Sequence, residues 1–256
     1  MRIVSLNCNG IRSASRKGLF AWLAAVDPDV ICLQETKAQE YQLPFDAQHL
    51  CRYFSVFADA QRKGYSGVAI YAKRKPEAVH VGLGLPQFDA EGRYVQIDLG
   101  TLSIGSLYVP SGTMGAQRQS WKEAFLDSYE ARLLRALRDG RRYILCGDYN
   151  IAHREIDVFN PKAAVHVTGF LPHERAWMER VQSAGWVDAL RVVRPEPGIY
   201  SWWSNFSQAF EKNRGWRIDY QLTTPDIRSC IGDAYMYRGE RFSDHAPVVV
   251  DYDIAV

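Results

Sequence analysis

The stretch Tyr143-Ile-Leu-Cys-Gly-Asp-Tyr-Asn150 decides how this chain is read. It begins as a short apolar run, the pattern of a strand covered on both faces. It then stops on Gly147, Asp148 and Asn150. A carboxylate and a carboxamide just past a strand end lie where open α/β sheets place their chemistry. An ordinary Asp/Asn turn would leave the same local trace. The ending recurs, however. Ile3 to Gly10 stops on Asn7, Asn9 and Gly10, Val30 to Lys37 on Glu35, and Leu102 to Pro110 on Tyr108.

Working outward, Leu19 to Ala25 has helical spacing between the first two of these strands, so the chain opens as a βαβ unit with a parallel pair. Gly67 to Lys73 reads as another strand. Tyr94–Leu99 and Leu102–Pro110 flank a Gly-Thr turn and read as a hairpin. Gln119 to Asp139 is amphipathic and stops at Gly140, and Glu174 to Ala184 is a helix closed by Gly185. Arg217–Leu222 carries Asp219, and a last strand spans Val248–Tyr252. Many strands with few helices predict two packed sheets with helices outside, in one domain over residues 1–256.

The 256 residues are 47% hydrophobic and 23% charged, enough to bury a core without staples. A net charge of +2 neither demands nor opposes a nucleic-acid partner. The basic clusters Arg12/Arg16/Lys17, Arg62-Lys63, Lys73-Arg74-Lys75 and Arg214/Arg217 read one by one as solvated surface. Five cysteines, with no CxxC spacing, read as reduced thiols of a cytoplasmic protein. The chain enters a strand at once, without a signal peptide, and no apolar run is long enough to cross a bilayer.

Asn7, Asn9, Glu35, Tyr108, Asp148, Asn150, Asp219, Asp244 and His245 are all read as lying at strand ends, just beyond apolar strands. They suit metal-assisted hydrolysis. Glu35 and Asp244 with Asn9 offer hard oxygen ligands, which select Mg²⁺ or Mn²⁺ over zinc. Mg²⁺ binds phosphate oxygens, so the expected substrate is a phosphate ester. Asp148 and Asn150 are placed to orient and deprotonate water. Asp219 beside His245 would hold an imidazolium toward a developing phosphorane, and Asn7 and Tyr108 would donate to the same phosphate.

The chain resembles the exonuclease III/AP endonuclease family over nearly its whole length. The resemblance rests on Leu6-Asn-Cys-Asn-Gly-Ile-Arg12, Leu33-Gln-Glu-Thr-Lys37, Tyr108-Val-Pro110, Gly147-Asp-Tyr-Asn150, Ala152-His-Arg-Glu-Ile-Asp157 with Asn160-Pro-Lys162, Gly215-Trp-Arg-Ile-Asp-Tyr220 and Ser243-Asp-His245. It implies a four-layer α-β-β-α sandwich of two mixed sheets and a monomeric Mg²⁺-dependent phosphodiesterase of DNA base excision repair. It implies Glu35 for metal, Asp148 with Asn150 for the water, Asp219 with His245 on the phosphate side, and Trp202, Trp216 and Ile218 as a pocket for an extruded abasic sugar. The expected partner is double-stranded DNA with abasic sites or damaged or blocked 3′ ends, and no membrane.

Three positions depart from the family pattern. Ser111 stands where an amide is common and Phe210 where an Arg is common. After Asn160-Pro-Lys162 the stretch Ala163-Ala-Val-His-Val-Thr-Gly-Phe170 loses polar groups and gains His166. A ring there predicts 3′-phosphatase and 3′→5′ exonuclease action ahead of internal nicking, the alternative being a full AP endonuclease cutting 5′ to abasic sites. Two rivals from other classes are a lipid or inositol phosphatase and a catalytically dead DNA-binding module. The aromatic run from Tyr200 opposes the first, and the intact Asp148 and His245 oppose the second.

Overall fold

The computed structural model describes residues 1–48, 50 and 52–255. Among these, twelve strands build two six-stranded sheets. In chain order they are β1 Arg2–Asn7, β2 Val30–Gln34, β3 Phe54–Ala58, β4 Val68–Ala72, β5 Ala78–Val81, β6 Tyr94–Leu99, β7 Leu102–Tyr108, β8 Arg142–Asp148, β9 Val187–Asp188, β10 Asp219–Thr223, β11 Ile231–Met236 and β12 Val248–Tyr252. The sheets run β11-β12-β1-β2-β4-β3 and β5-β6-β7-β8-β10-β9. Both are mixed: β1/β2 and β7/β8 are parallel, the other pairs antiparallel.

Alternation along each central strand explains the layers. In β1 and β2, Ile3, Val30 and Cys32 face the second sheet, while Val4, Ile31 and Leu33 face the helices Ile11–Arg16 and Leu19–Val26. In β8, Ile144 and Cys146 face the first sheet, while Leu145 faces the helices Ala116–Ala136 and Pro172–Ser183. Strands covered on both faces must be apolar on both, which is why they read as continuous runs. The four-layer α-β-β-α expectation holds. Cys8, Cys32 and Cys146 are buried free thiols. Among the described residues, no helix is long and apolar enough to cross a membrane.

Two buried glutamines span the layers. Gln34 Nε2 donates to Ser106 Oγ at 3.0 Å, and Ser106 Oγ donates to the Leu33 carbonyl at 3.0 Å. Gln221 Nε2 donates to the carbonyls of Ile3 and Val248 at 3.3 and 3.1 Å. A buried amide left unmade is costly, so these bonds fix the slide of one sheet on the other.

Two expectations are corrected. Arg217 is fully buried, not solvated: it meets Asp157 at 2.8 Å and Asp188 at 2.8 Å. Burial pushes the Asp157 carboxyl up, but Arg217 and Arg191 outweigh it and hold it far below the ordinary range. The polar residues also do not all follow strands. Asn7, Glu35, Tyr108 and Asp148 close parallel or hairpin strands, whereas Asp219 opens β10 and Asp244 and His245 precede β12. Because β10 and β12 run antiparallel to β8 and β1, their beginnings reach the same end of the sandwich.

Candidate active site

Register brings the residues together. Asp148 pairs with Tyr108 on one side and Asp219 on the other, while in the facing sheet Asn7 pairs with Gln34, one residue before Glu35. Four residues at this end take left-handed backbone angles: Asn9 (φ 44°), Glu35 (φ 49°), Lys37 (φ 49°) and Asn150 (φ 53°). Asn tolerates this region, but for Glu and Lys it stores strain of about 1–3 kcal/mol each. The turns are therefore held by what their side chains do.

Asn7 lies at the centre. Its Nδ2 donates to Glu35 Oε1 at 2.7 Å and to Asp148 Oδ2 at 2.9 Å, joining the two sheets. Asp148 is further fixed by Asn150, whose backbone N–H donates to Oδ1 at 2.8 Å and whose Nδ2 lies 3.3 Å from Oδ2. Burial, then Asp219 and Glu35, push the Asp148 carboxyl up to about 8. Across from it, His245 Nδ1 pairs with Asp219 Oδ2 at 2.8 Å, and its Nε2 faces Asp148 Oδ2 at 4.0 Å. Burial opposes the imidazolium, yet Asp219, Asp148 and Asp244 outweigh it and push its pKa up to about 10. The ring thus stays charged at neutral pH, with Nε2 turned toward Asp148. Burial and the charges of Glu35 and Asp148 raise Tyr108 well above the ordinary phenol value, so it remains a donor. Arg93 supports it, stacking 4.9 Å from its ring and donating to its carbonyl at 3.0 Å.

The oxygen ligands expected for a metal also converge. Asn9 Nδ2 donates to Asp244 Oδ1 at 2.9 Å, and Trp202 Nε1 to Asp244 Oδ2 at 3.0 Å. The Lys37 ammonium sits 2.7 Å from Glu35 Oε2 and 2.5 Å from Asn9 Oδ1. The oxygens of Glu35 and Asn9 thus already face a positive charge, while Asn9 turns its amide nitrogen to Asp244; a divalent ion held by all three would take the place of the Lys37 ammonium. Burial raises the Glu35 carboxyl, but Lys37 and Asn7 outweigh it and keep it ionised. Asp148, Asp219 and His245 also have ligand atoms within 4.8 Å of one another. The two clusters differ in donor type: the second includes an imidazole already paired with Asp219, whereas Glu35, Asn9 and Asp244 offer hard oxygen donors.

Glu35, Tyr108, Asp148, Asn150, Asp244 and His245 line a cleft of about 630 Å³, with Asn7, Asn9 and Asp219 behind or beside them and outside its lining. Its apolar wall is Trp202, Trp216 and Ile218, packed with Phe170 and Val158. Trp202 and Trp216 exchange backbone hydrogen bonds at 2.8 and 2.9 Å, and Trp202 bridges to His245, so wall and phosphate-side pair move as a unit. The opposite rim carries Ser111, Thr113, exposed Met114, Tyr65 and Arg118. Phe210 is not among the cleft residues; it packs edge-to-face on Trp203 and lies under Arg238 and Arg241. His166 is exposed in the turn after the helix Pro161–Ala164; it does not line the cleft, but its neighbour Val167 does.

Sequence reasoning missed Lys37, Lys122, Tyr65 and Arg118 as cleft residues. Lys37 carried a signal, since it closes the Gln34-Glu-Thr-Lys37 segment. A second cavity of about 460 Å³ lies beside β9, where Arg217 pairs with Asp188, Arg191 with Asp157 and His153 with Glu179.

The model of the Endonuclease/Exonuclease/phosphatase family matches residues 4–245. A Bacillus subtilis protein named exodeoxyribonuclease is 39% identical over 254 residues, 97% of this chain and 98% of the relative. The Danio rerio DNA repair nuclease APEX1 is 33% identical over 98% of this chain and 81% of its own length. Among solved structures, an AP endonuclease from Archaeoglobus fulgidus superposes with a TM-score of 0.90 at 29% identity, covering 99% of this chain and 100% of that one. The 3′ phosphatase NExo from Neisseria, bound to a product DNA hairpin, superposes with a TM-score of 0.91 at 26% identity, again over 99% and 100%.

Proposed function

The chain belongs to the endonuclease/exonuclease/phosphatase family, as a DNA repair nuclease of the exonuclease III/AP endonuclease type, and on that premise we propose how it works and what it prefers. It hydrolyses phosphoric esters of duplex DNA at abasic sites or blocked 3′ ends, as a cytoplasmic monomer. The observation that carries the reading is the 4.0 Å separation of His245 Nε2 and Asp148 Oδ2 on the floor of a cleft walled by Trp202, Trp216 and Ile218. With its pKa pushed up to about 8, the Asp148 carboxyl is poised near the operating pH and, once ionised, is a base for water, while the facing imidazolium is a donor for a phosphorane oxygen.

Asp148 takes the proton of the attacking water, and Asn150 holds that carboxylate in place. His245, oriented by Asp219, donates from Nε2 to a phosphate oxygen. Tyr108 donates to the same phosphate; Asn7, expected to do likewise, is buried with both amide hydrogens given to Glu35 and Asp148, so it holds those two carboxylates in place instead. Glu35, Asn9 and Asp244 would hold Mg²⁺ or Mn²⁺, which when bound supplies Lewis-acid stabilisation of phosphate charge. The aromatic wall receives the sugar, and its indole surfaces exclude water from one side of the reacting ester.

Lesion preference rests on His166. His166 is exposed and next to Val167, which lines the cleft; a ring there would obstruct a strand continuing past the site, and a 3′ end has no such strand. The protein therefore favours 3′-phosphate and 3′→5′ nucleotide removal. The second reading, an AP endonuclease, draws on the Trp202–Trp216–Ile218–Phe170 wall, which suits an extruded sugar whose extrusion costs a few kcal/mol. Matched duplexes bearing an internal abasic site, a 3′ phosphate or a 3′ hydroxyl separate the two. The 3′ phosphate should clear fastest, and His166→Gly should raise nicking while leaving phosphate release nearly unchanged. Wild-type nicking as fast as phosphate release supports the second reading and ends the first.

A further inference from the structure

Behind the cleft lies an ion pair that the chemistry above does not use. Lys122, in the helix Ala116–Ala136, and Glu174, in the first turn of Pro172–Ser183, both have side chains at 0% exposure and meet at 2.5 Å. The Lys122 ammonium also donates to the Asn150 carbonyl at 2.7 Å. Glu174 Oε2 accepts the backbone N–H groups of Gly169 at 2.6 Å and Leu171 at 3.0 Å. Its other oxygen lies 3.4 Å from Thr168 Oγ1. One buried pair thus ties the long helix to two segments: the turn carrying Asn150, and the cleft wall at Thr168–Gly169.

The two segments are in close contact. A Cβ at Gly169 would lie 3.1 Å from the Asn150 carbonyl oxygen and 3.2 Å from the Trp216 ring. Asn150 holds a left-handed angle while its N–H and Nδ2 fix Asp148. A carbonyl anchored on a buried ammonium fixes the plane of that turn. A fully buried pair is weak evidence for stability, because desolvating both charges offsets their attraction. Its position points to orientation instead.

We propose that Lys122 and Glu174 are positioning residues, which through Asn150 and Gly169 set the spacing between the Asp148 carboxylate and the wall that receives the sugar phosphate. The inference rests on the functional reading above.

The test is the double variant Lys122→Met/Glu174→Gln, since removing one partner alone leaves an unpaired buried charge. The amide oxygen at position 174 still serves the N–H groups of Gly169 and Leu171. Melting temperature, gel-shift affinity for duplex DNA, and kcat and KM for 3′-phosphate release in Mg²⁺ are measured together. Melting and affinity should stay near wild type while kcat falls about tenfold to a hundredfold, the scale of a misplacement near 1 Å. If the double variant does not fold, Thr168→Val, which deletes the hydroxyl contacts to Gln119 and Glu174, should lower kcat several-fold at unchanged KM. A folded variant with wild-type kcat overturns the inference alone. A wild-type protein that releases no phosphate overturns the functional reading and this inference with it.

Discussion

His245 shows how far a single side chain depends on its neighbours. Burial alone would discharge it, yet the Asp219 carboxylate at 2.8 Å, with Asp148 and Asp244 behind, pushes its pKa up to about 10. A raised histidine pKa makes the pair stabilising below the ordinary value of about 6.5 and lost as pH rises through about 10. Asp219→Asn removes the largest support. The imidazole titration followed by NMR should then move toward its ordinary value, and the alkaline limb of the pH–rate profile should move down with it. An unmoved titration would show that Asp219 does not hold the charge. Residues of this kind were legible in the sequence because they recur: one Asn or Asp after an apolar run reads as a turn or a cap, but the same ending on several runs does not. Lys122 was not, and Lys37 was visible only as the end of the Gln34–Lys37 segment, without a role. A lysine in a polar context reads as solvated, and only the fold reveals that Lys122 has no exposure at all. Arg217 was misread for the same reason: nothing local announces Asp157 and Asp188 around it.

At the scale of elements, the eight strands read from the sequence are the interior strands of both sheets, and the four that were not, β3, β5, β9 and β11, are the four edges. The cause is burial. An interior strand is apolar on both faces, whereas β5 shows intermediate to exposed positions throughout and β11 buries only Ala234. Helix ends shifted for local reasons: Pro172 opens its helix two residues before Glu174, because proline is preorganised for a first turn. The central pair β7/β8 depends on Gly147 for more than its turn. A Cβ there would lie 2.1 Å from the Leu107 carbonyl oxygen, a backbone atom that cannot swing away. Gly147→Ala should therefore cost about 1–3 kcal/mol in denaturant unfolding, the usual cost of overpacking. It should also depress activity, since Leu107 and Gly147 precede Tyr108 and Asp148 in the paired register. Wild-type stability would mean that the strands separate more easily than their pairing suggests.

For the molecule as a whole, the candidate site is a product of two sheets meeting. Asn7, Glu35 and Asp244 come from the first sheet and its connections, Tyr108, Asp148 and Asp219 from the second, and the Asn7 amide bonds across the boundary to Asp148. No segment of the sequence contains this arrangement. The motifs pointed to it through resemblance, while the residues alone gave a set of strand-end acids and amides without distances. The central claim is that Asp148 activates water beside a cation held by Glu35, Asn9 and Asp244. The most direct measurement is single-turnover release of phosphate from a duplex with a 3′ phosphate, for wild type and Asp148→Asn, with DNA binding measured in parallel. In Mg²⁺ the variant should bind as well as wild type and turn over more slowly by roughly the 10²–10⁴ of a lost general base, and wild type should fall silent in excess chelator. Turnover by the variant within a few-fold of wild type, or full wild-type activity in chelator, would contradict the account.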